Sequence, residues 1–491
     1  MNRQKNGKKR WRFLPLRFTL YALIYATFFG VMGLNNWQLW VPSRTSGVTI
    51  LTFTVLLTVM LSVYGGYDIG KRKSKPVISS LVLAVGMTDI VTYFQLEIMN
   101  ANDAKYGTLT LFGWDFALLL CAIAIQILVI ILMTRLGNSL YFSVHPPENC
   151  CIIASSRDAA EHVAAKLARY KLQYAVRDMV NFNAKNIKKF VLRNDAVFLA
   201  DVPAEHRFKL LEFCYENHKN VYTTADLYDV MVANGRQVIL DDCPFVAMGR
   251  GGMEPHEQMI KRIMDIVISF IAILVFSPVM LLAAIAILLE DGRPAFFMQK
   301  RKTIDGNVFE IVKFRTMRKD AAWNGPQVSV HQGDGRITRV GAFLRKFRLD
   351  ELPQFFNILK GDMSMVGPRP EMLENVAQYS KEFPAFVYRQ KMKAGLTGYA
   401  QIEGRYNTTA KDKLMMDLMY IESFSIWMDV KLLFRTLTVF FKTDSTQGFE
   451  MHNTENEAHV KVSGDILSEE DAETKEYSSS GSISSTYHSA G

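Results

Sequence analysis

Two adjacent carboxylates, Asp350 and Glu351, stand in a segment that is dense in basic residues. The basic residues of that segment are Lys313, Arg315, Arg336, Arg345, Arg348 and Arg369. Arginine presents a planar fork of donors that matches phosphate oxygens, and a carboxylate can attack phosphorus or hold a hard cation. The pattern therefore indicates chemistry on a diphosphate or a lipid phosphate. Attraction of these cations to anionic lipids is the alternative.

We expect the acid pair to lie at the N-terminus of a helix. An amphipathic pattern follows the pair, formed by Leu352, Phe355, Phe356 and Leu359, with Pro353 in the first turn. Free backbone N–H groups and the helix dipole favour negative charge there and keep a carboxylate ionised. Neighbouring side chains point about 100° apart on a helix, so one acid can attack phosphorus while the other holds a metal. An ordinary helix cap is the competing interpretation.

Residues 266–289 form an uncharged stretch that is long enough to cross a bilayer. Basic residues flank both ends, Lys261 and Arg262 on one side and Arg293 with 300–302 on the other, so both ends favour the cytoplasmic face. Ser277-Pro278 interrupts the middle, where proline removes a backbone donor. We therefore predict a re-entrant helix-break-helix, with a proline-kinked spanning helix as the alternative.

Four further apolar segments open the chain, at 17–36, 48–66, 77–99 and 109–134, and predict a four-helix membrane anchor over 1–140. Lys and Arg residues are dense before the first segment and between the second and third, from Lys71 to Lys75. The other two loops carry only Arg44, and Lys105 with Asp103. The positive-inside rule then places the N-terminus and everything after Arg135 in the cytoplasm.

Short apolar runs alternate with polar helical stretches over 148–247, which predicts a small Rossmann-like α/β module. The strands we expect there are CCIIAS (150–155), AVFLAD (196–201) and VILDD (238–242). No G-x-G-x-x-G follows the first strand, so the module has no demonstrable nucleotide site and is better explained as regulatory or as an assembly surface. A linker is expected at 248–257.

Composition limits the class of protein. Its 491 residues allow two to four domains, and 49% hydrophobic residues with 24 Met indicate contact with lipid. The five cysteines form no C-x-x-C pair and the nine histidines are scattered, so neither pattern predicts a metal site or a disulfide framework. The tail 452–491, acidic and then Ser-rich, is expected to be disordered, and the basic remainder suits a membrane surface rather than nucleic acid.

Residues 258 to about 445 resemble the monotopic phosphoglycosyl transferases, also called bacterial sugar transferases. The motifs that carry the resemblance are KRIMD (261–265, ending in Asp265), Ser277-Pro278, KFRTM (313–317), LDELPQ (349–354), GDMSMVGPRP (361–370) and GLTGYAQIEGR (395–405). With the four spans and the Rossmann-like module, the chain is similar to the undecaprenyl-phosphate glucose or galactose phosphotransferases of exopolysaccharide synthesis. The expected fold is therefore a membrane helical bundle, a Rossmann-like module and a monotopic α/β catalytic domain over 258–445.

The resemblance implies a two-step transfer at the cytoplasmic face of the bacterial inner membrane. Asp350 would attack the β-phosphate of a UDP-sugar and expel UMP, and undecaprenyl phosphate would then collect the phosphosugar. Glu351 would ligate Mg²⁺, while Lys313, Arg315, Arg345 and Arg369 would grip the phosphates. The same resemblance leaves open whether a second copy of the chain or another polysaccharide-assembly protein is a partner.

Three matters stay open at this point. The whole chain could act as a membrane-anchored scaffold or a nucleotide-sugar-modifying enzyme of the same pathway, and residues 1–247 alone could be the scaffold. Residues 426–441 predict either an interfacial amphipathic helix or a core helix. No specificity pocket that would name the sugar can be identified from the sequence.

Overall fold

The structure is a computed structural model, in which we describe residues 14–68, 73–101, 113–233, 235–248, 253–319, 335–404 and 408–439. The tail 452–491, the basic pair Lys71 and Arg72, and the loop with Asp103 and Lys105 lie outside the described residues. What the sequence predicts for them stays a prediction.

Four apolar helices form a bundle at the start of the described chain. They are α1 (Leu14–Met32), α2 (Arg44–Tyr64), α3 (Ser74–Ala101) and α4 (Trp114–Val144). Each is long and apolar enough to cross a membrane. Phe28, Leu81 and Ile130 are among the residues buried between the helices, whereas Leu128 faces outward, as a lipid-facing side chain does.

The fourth helix differs from the expected segment 109–134. It begins at Trp114 and continues through Arg135 to Val144. The apolar pattern ends before Arg135, but the backbone hydrogen bonds of a helix are internal and do not require an apolar surrounding. The helix therefore extends beyond its apolar part.

A four-stranded parallel sheet follows the bundle, in the order β2-β1-β3-β4. Its strands are β1 (Glu148–Ala154), β2 (Tyr174–Asn181), β3 (Ala196–Ala200) and β4 (Asn220–Thr223). The accompanying helices are α5 (Arg157–Ala168), α6 (Ile187–Arg193), α7 (Ala204–Glu216) and α8 (Leu227–Ala233).

The assignment of VILDD (238–242) to this parallel sheet is wrong. The segment lies in an antiparallel hairpin of β5 (Arg236–Leu240) and β6 (Cys243–Ala247), outside the sheet. Leu240 pairs with Cys243 across a two-residue turn, and Asp241 has a φ of 60° there. That turn reverses the chain at once, whereas a parallel strand needs a long crossover.

The remaining described elements form a third unit around one apolar core, which includes Ile358, Val366, Phe386 and Leu418. Its helices are α9 (Pro255–Asp291), α10 (Arg339–Lys346), α11 (Gln354–Lys360), α12 (Leu373–Glu382), α13 (Tyr399–Glu403), α14 (Ala410–Glu422) and α15 (Ile426–Val439). Its strands are the antiparallel pair β7 (Phe296–Lys302) and β8 (Val308–Phe314), and the parallel pair β9 (Ser364–Val366) and β10 (Gly395–Thr397). Helix α9 starts at Pro255, inside the expected linker 248–257.

Helix α9 runs as one helix through Pro278, so the two separate arms that we expect from the sequence are not present in it. Proline has no N–H for the carbonyl of Leu274, four residues earlier. The hydroxyl of Ser277 donates to that carbonyl at 2.8 Å. The serine thus replaces the donor that the proline lacks, which explains why the helix continues.

The N-terminal part of α9, which carries the basic residues, is hydrogen-bonded to the rest of the third unit. Nζ of Lys261 donates to the carbonyl of Val366 at 2.9 Å, and Arg262 donates to the last carbonyls of α11 at 2.7 and 2.8 Å. Oδ1 of Asp265 accepts from the backbone N–H of Met365 at 2.8 Å. These residues, expected to mark the membrane hairpin, also attach it to β9 and α11.

Helix α15 lies between the third unit and the bundle. Leu432 is buried in the apolar core, and the carbonyl of Phe434 accepts a hydrogen bond from the hydroxyl of Tyr64 in α2 at 2.9 Å. Of the two interpretations of 426–441, the core helix is the one that these contacts favour.

The parallel module contacts the third unit through α8 and the end of β3. Val230 of α8 is buried in the same core as Leu418, and Nζ of Lys411 in α14 lies 3.5 Å from Oδ1 of Asp201. The carboxyl end of β3 belongs to the edge where open α/β sheets bind ligands. In this chain α14 reaches that edge.

Candidate active site

Four elements bring the predicted residues to one place. Lys313 lies near the end of β8, Arg345 in α10, the acid pair in a single 3₁₀ turn (Leu349–Glu351), and Arg369 in the loop after β9. Arg348 has φ 54°, the left-handed conformation, directly after the end of α10. That turn reverses the chain and directs the acid pair back toward β8.

The acids therefore do not lie at the N-terminus of an α-helix as expected. Helix α11 begins three residues after Glu351, at Gln354, with Pro353 preceding it. The proline is fixed at a φ near that of a helix and lacks the N–H, so it starts the α-helix after the acids. The charge that stabilises the acids must come from side chains.

Glu351 is held by two cations. Nζ of Lys313 lies 3.0 Å from its Oε1, and Nη2 of Arg369 lies 3.3 Å from the same atom. Burial alone would raise the pKa of Glu351, but Lys313, Arg369 and Arg348 outweigh it and hold that pKa well below its usual range. Glu351 is thus ionised at neutral pH. Its Oε2 has no hydrogen bond or ion pair with a described residue.

Asp350 is in a different state. Within the described ranges its carboxylate forms no ion pair within 4 Å. Burial raises the pKa of Asp350, the charge of Glu351 raises it further, and Lys313 and Arg345 oppose that shift. One acid of the pair is fixed by cations, whereas its neighbour has a hydrogen bond from its own backbone and no ion pair with a described residue. A carboxylate in that state suits a nucleophile.

Arg345 approaches the pair from α10. A Cβ at Gly341 would lie 2.1 Å from the carbonyl oxygen of Thr316, so only glycine lets α10 pack this closely on the chain after β8. One helical turn later, Nε of Arg345 donates to Oγ1 of Thr316 at 2.8 Å. The guanidinium is thereby fixed close enough to Asp350 to lower its pKa.

Arg315 does not join the group, although the sequence places it with Lys313. Its side chain is only 1% exposed, and its Nη2 donates to the carbonyls of Asp291 and Gly292 at 2.9 and 2.7 Å. Strand β8 ends at Phe314, so the chain turns before Arg315 and the side chain points to the end of α9. Its observed role is to cap that helix.

Three residues that support Arg369 escaped the sequence analysis. Oε1 of Gln401, in α13, accepts from Nη1 of Arg369 at 3.1 Å. Nη2 of Arg389 donates to the carbonyl of Arg369 at 3.0 Å and to Oδ2 of the buried Asp417 at 2.6 Å. Gln401 falls in the motif GLTGYAQIEGR, which is a usable signal. Arg389 and Asp417 are 28 residues apart, and nothing in the sequence pairs them.

The described residues contain no group of three or more His, Cys, Asp or Glu side chains that could hold a metal ion. Mg²⁺ needs only one or two carboxylates when phosphate oxygens supply other ligands. Oε2 of Glu351 and the carboxylate of Asp350 are adjacent oxygens without ion pairs to described residues. These donors fit a magnesium ion that arrives with a diphosphate.

Comparison with known proteins gives the family. A family model described as bacterial sugar transferase matches residues 256–443. That range contains all the residues of the candidate site, from Lys313 to Gln401. The family resemblance of the motifs is thereby confirmed.

Three curated relatives illustrate the similarity. A UDP-N-acetylgalactosamine-undecaprenyl-phosphate N-acetylgalactosaminephosphotransferase of Aeromonas hydrophila is 45% identical over 47% of this chain and 54% of its own length. A UDP-glucose:undecaprenyl-phosphate glucose-1-phosphate transferase of Caulobacter vibrioides is 42% identical over 38% of this chain and 71% of its own length. The Escherichia coli protein of the same description is 36% identical over 47% and 50%.

The match covers about half the length of the Aeromonas and Escherichia relatives and more than two thirds of the Caulobacter relative. Together with the family model over 256–443, these similarities show that the chain belongs to the bacterial sugar transferase family.

Proposed function

We propose that this protein transfers a sugar 1-phosphate from a UDP-sugar to undecaprenyl phosphate and releases UMP. The product is a sugar linked to undecaprenyl diphosphate, which is the first lipid-linked intermediate of exopolysaccharide, capsule or O-antigen synthesis. The descriptions of its relatives support the reaction class. The observation that carries the proposal is Asp350, which forms no ion pair with a described residue, beside the ion-paired Glu351, with Lys313, Arg345 and Arg369 around them.

The reaction proceeds in two displacements at the same phosphorus. An oxygen of Asp350 forms a bond to the β-phosphorus of the UDP-sugar, and the bond from that phosphorus to the bridging oxygen breaks, so that UMP leaves with the electron pair. A phosphate oxygen of undecaprenyl phosphate then attacks the phosphorus and displaces the carboxylate of Asp350. Asp350 is regenerated, and the sugar phosphate is on the lipid.

The cations stabilise the negative charges of the reaction. Arg369 and Lys313, which pair with Glu351 in the described state, have the donors to bind diphosphate oxygens as charge moves onto UMP. Arg345 lowers the pKa of Asp350 and thus favours its ionised, nucleophilic form. Mg²⁺ held by Glu351 would neutralise the negative charge of the diphosphate.

The membrane arrangement is part of the proposal. Both ends of α9 are attached to the same folded unit, since Arg262 binds the end of α11 and Arg315 caps α9 itself beside β8. A helix that crossed the bilayer would separate its ends by about 30 Å of hydrocarbon. The shared attachment supports a re-entrant α9 that keeps the acid pair at the cytoplasmic surface of the inner membrane.

The test measures nucleotide release from the purified full-length protein in nanodiscs. A panel of UDP-sugars is offered with Mg²⁺, with and without undecaprenyl phosphate. We expect UMP from one or a few sugars and continued turnover only with the lipid phosphate. Asp350→Asn should abolish both, whereas Asp305→Asn, an exposed change on the same unit at φ 56° where asparagine is accommodated, should not.

Other products would reject the proposal. Release of UDP would mean transfer of the sugar alone, and a changed nucleotide sugar without added lipid would mean a nucleotide-sugar-modifying enzyme. No reaction with any UDP-sugar would leave the scaffold alternative. Full activity of Asp350→Asn would return Asp350 to a structural role.

A further inference from the structure

Gln401 is a partner of Arg369 whose own donor group is unused. Oε1 of Gln401 accepts from Nη1 of Arg369 at 3.1 Å. A guanidinium has only donors, so the atom that faces it must be the amide oxygen. The orientation of the amide is therefore fixed by chemistry, and the –NH₂ group must point to the other side.

That –NH₂ group is buried and has no hydrogen-bond partner among the residues that the structure describes. A buried amide donor without an acceptor is unfavourable, and most such groups in proteins are satisfied by the protein, by water or by a ligand. Nε2 lies beside Gly398, where an added Cβ would be 3.5 Å from it, while Arg369 and its partner Glu351 lie on the Oε1 side of the same amide. An oxygen-rich anion bound by Arg369 would supply the missing acceptor.

The position of Gln401 is built into the backbone. Gly367 and Gly398 approach so closely that a Cβ on Gly398 would lie 2.2 Å from the carbonyl oxygen of Gly367. The N–H of Gly367 donates to the carbonyl of Thr397 at 2.9 Å, which continues the pairing of β9 with β10. Arg369 follows Gly367 by two residues, and Gln401, in α13, follows Gly398 by three. Two glycines thus set the two side chains next to each other.

We propose that Nε2 of Gln401 donates a hydrogen bond to an oxygen of the β-phosphate of the nucleoside-diphosphate sugar, while its Oε1 orients Arg369 on the same phosphate. The inference rests on the proposed phosphosugar transfer and adds a neutral donor to its charged groups. Gln401 contributes a neutral, directed hydrogen bond beside the charged donors.

The two functions of the amide can be separated by substitution. Gln401→Glu keeps an oxygen acceptor for Arg369 and removes the donor, whereas Gln401→Met removes both. Gln378→Glu, an exposed residue on α12, repeats the first change in charge away from the site. All variants are studied as full-length protein in nanodiscs, with thermal unfolding as the check on folding.

We expect kcat/KM for the UDP-sugar to fall about 10- to 100-fold in both Gln401 variants and to stay unchanged in Gln378→Glu. Competitive inhibition by UDP should weaken by a similar factor. Inhibition by UMP should not change, because UMP lacks the β-phosphate. Thermal midpoints should match that of the wild type.

Several results would overturn the inference. Unchanged kcat/KM in Gln401→Met would show that the amide contributes nothing, and a loss confined to Gln401→Glu would show only the effect of an added negative charge. Equal weakening of UDP and UMP inhibition would place the contact elsewhere than the β-phosphate. If the wild-type protein itself releases no UMP, the proposed function has failed, and the inference, which rests on it, is overturned with it.

Discussion

The ammonium of Lys313 lies 3.0 Å from Oε1 of Glu351. The next residue toward the N-terminus, Asp350, has no such partner in the described part of the chain. Both carboxyls lie beside the same cations, and this pairing holds the pKa of Glu351 low while the carboxylate of Asp350 stays without an ion pair to a described residue. Four predictions depend on this arrangement and on the elements that support it.

The acid side of the pH profile should report the ionisation of Asp350. Burial and the charge of Glu351 raise the pKa of Asp350, and only the ionised form can attack phosphorus. We expect kcat/KM to fall as the pH is lowered, through one protonation whose midpoint is above that of an exposed aspartate. Glu351 stays ionised over this range because its cations hold its pKa low. A midpoint at or below that of an exposed aspartate would contradict the prediction.

Lys313→Met should move that profile and reduce the rate. The lysine lowers the pKa of both acids, so its removal should shift the acid side of the kcat/KM profile to higher pH. We also expect kcat/KM at neutral pH to fall about 100-fold or more, because a charge that stabilises the departing phosphate is lost. Lys360→Met is the matched control, since Lys360 is an exposed lysine that pairs with an acid, Asp362, at 3.1 Å. An unshifted profile would mean that Lys313 does not act on Asp350.

Arg315→Met and Arg345→Met should have opposite effects. The first removes the buried side chain that caps α9 and its hydrogen bonds to the carbonyls of Asp291 and Gly292, so we expect thermal unfolding to occur several degrees lower, with an unchanged KM in the folded protein. The second should raise the KM for the UDP-sugar with little change in unfolding. If Arg315→Met raises KM and leaves unfolding unchanged, Arg315 binds phosphate as the family resemblance implies.

The serine and proline of α9 should be energetically coupled. Ser277→Ala leaves the carbonyl of Leu274 without a donor, at an expected cost of about 1–3 kcal/mol. In a Pro278→Ala background the N–H of residue 278 can reach that carbonyl, so the same serine change should cost almost nothing. A double-mutant cycle by thermal unfolding measures the coupling. Equal costs of Ser277→Ala in the two backgrounds would show that the hydroxyl does not replace the proline's missing donor.

The elements that could be predicted from the sequence are those with a strong local pattern. Long apolar helices have such a pattern, and so does the pair Asp350-Glu351 with its basic neighbours. Strand β2 was missed because YAVRDMVN carries Arg177 and Asp178, which break the apolar run. Asp178 is nevertheless buried, since Arg193 and Asn194 satisfy it at 2.6 Å each. These hydrogen bonds come from residues outside the strand, so the sequence of the strand itself gives no sign that Asp178 is buried.

The sequence also did not predict that Lys313 and Arg315 have different roles. Lys313 and Arg315 are two residues apart, a spacing that places side chains on the same face of a strand. Because β8 ends at Phe314, only Lys313 reaches Glu351, and Arg315 serves α9. The pairing of Gln401 with Arg369 depends on the contact of Gly367 with Gly398, which brings together residues that are 31 positions apart. Sequence spacing says nothing about such contacts.

Val230 of α8 is buried in the core of the third unit, and this limits where the chain can be truncated. Removing residues 1–247 is the natural test of whether the front half is dispensable. That truncation would remove Val230 together with Ala225 and Leu227, which pack against the same core. It would expose apolar surface on α14 and lose the pairing of Lys411 with Asp201. An inactive fragment of that kind would be evidence of an opened core. A truncated protein should therefore retain α8, so that its activity, or the loss of it, can be assigned to the transferase unit itself.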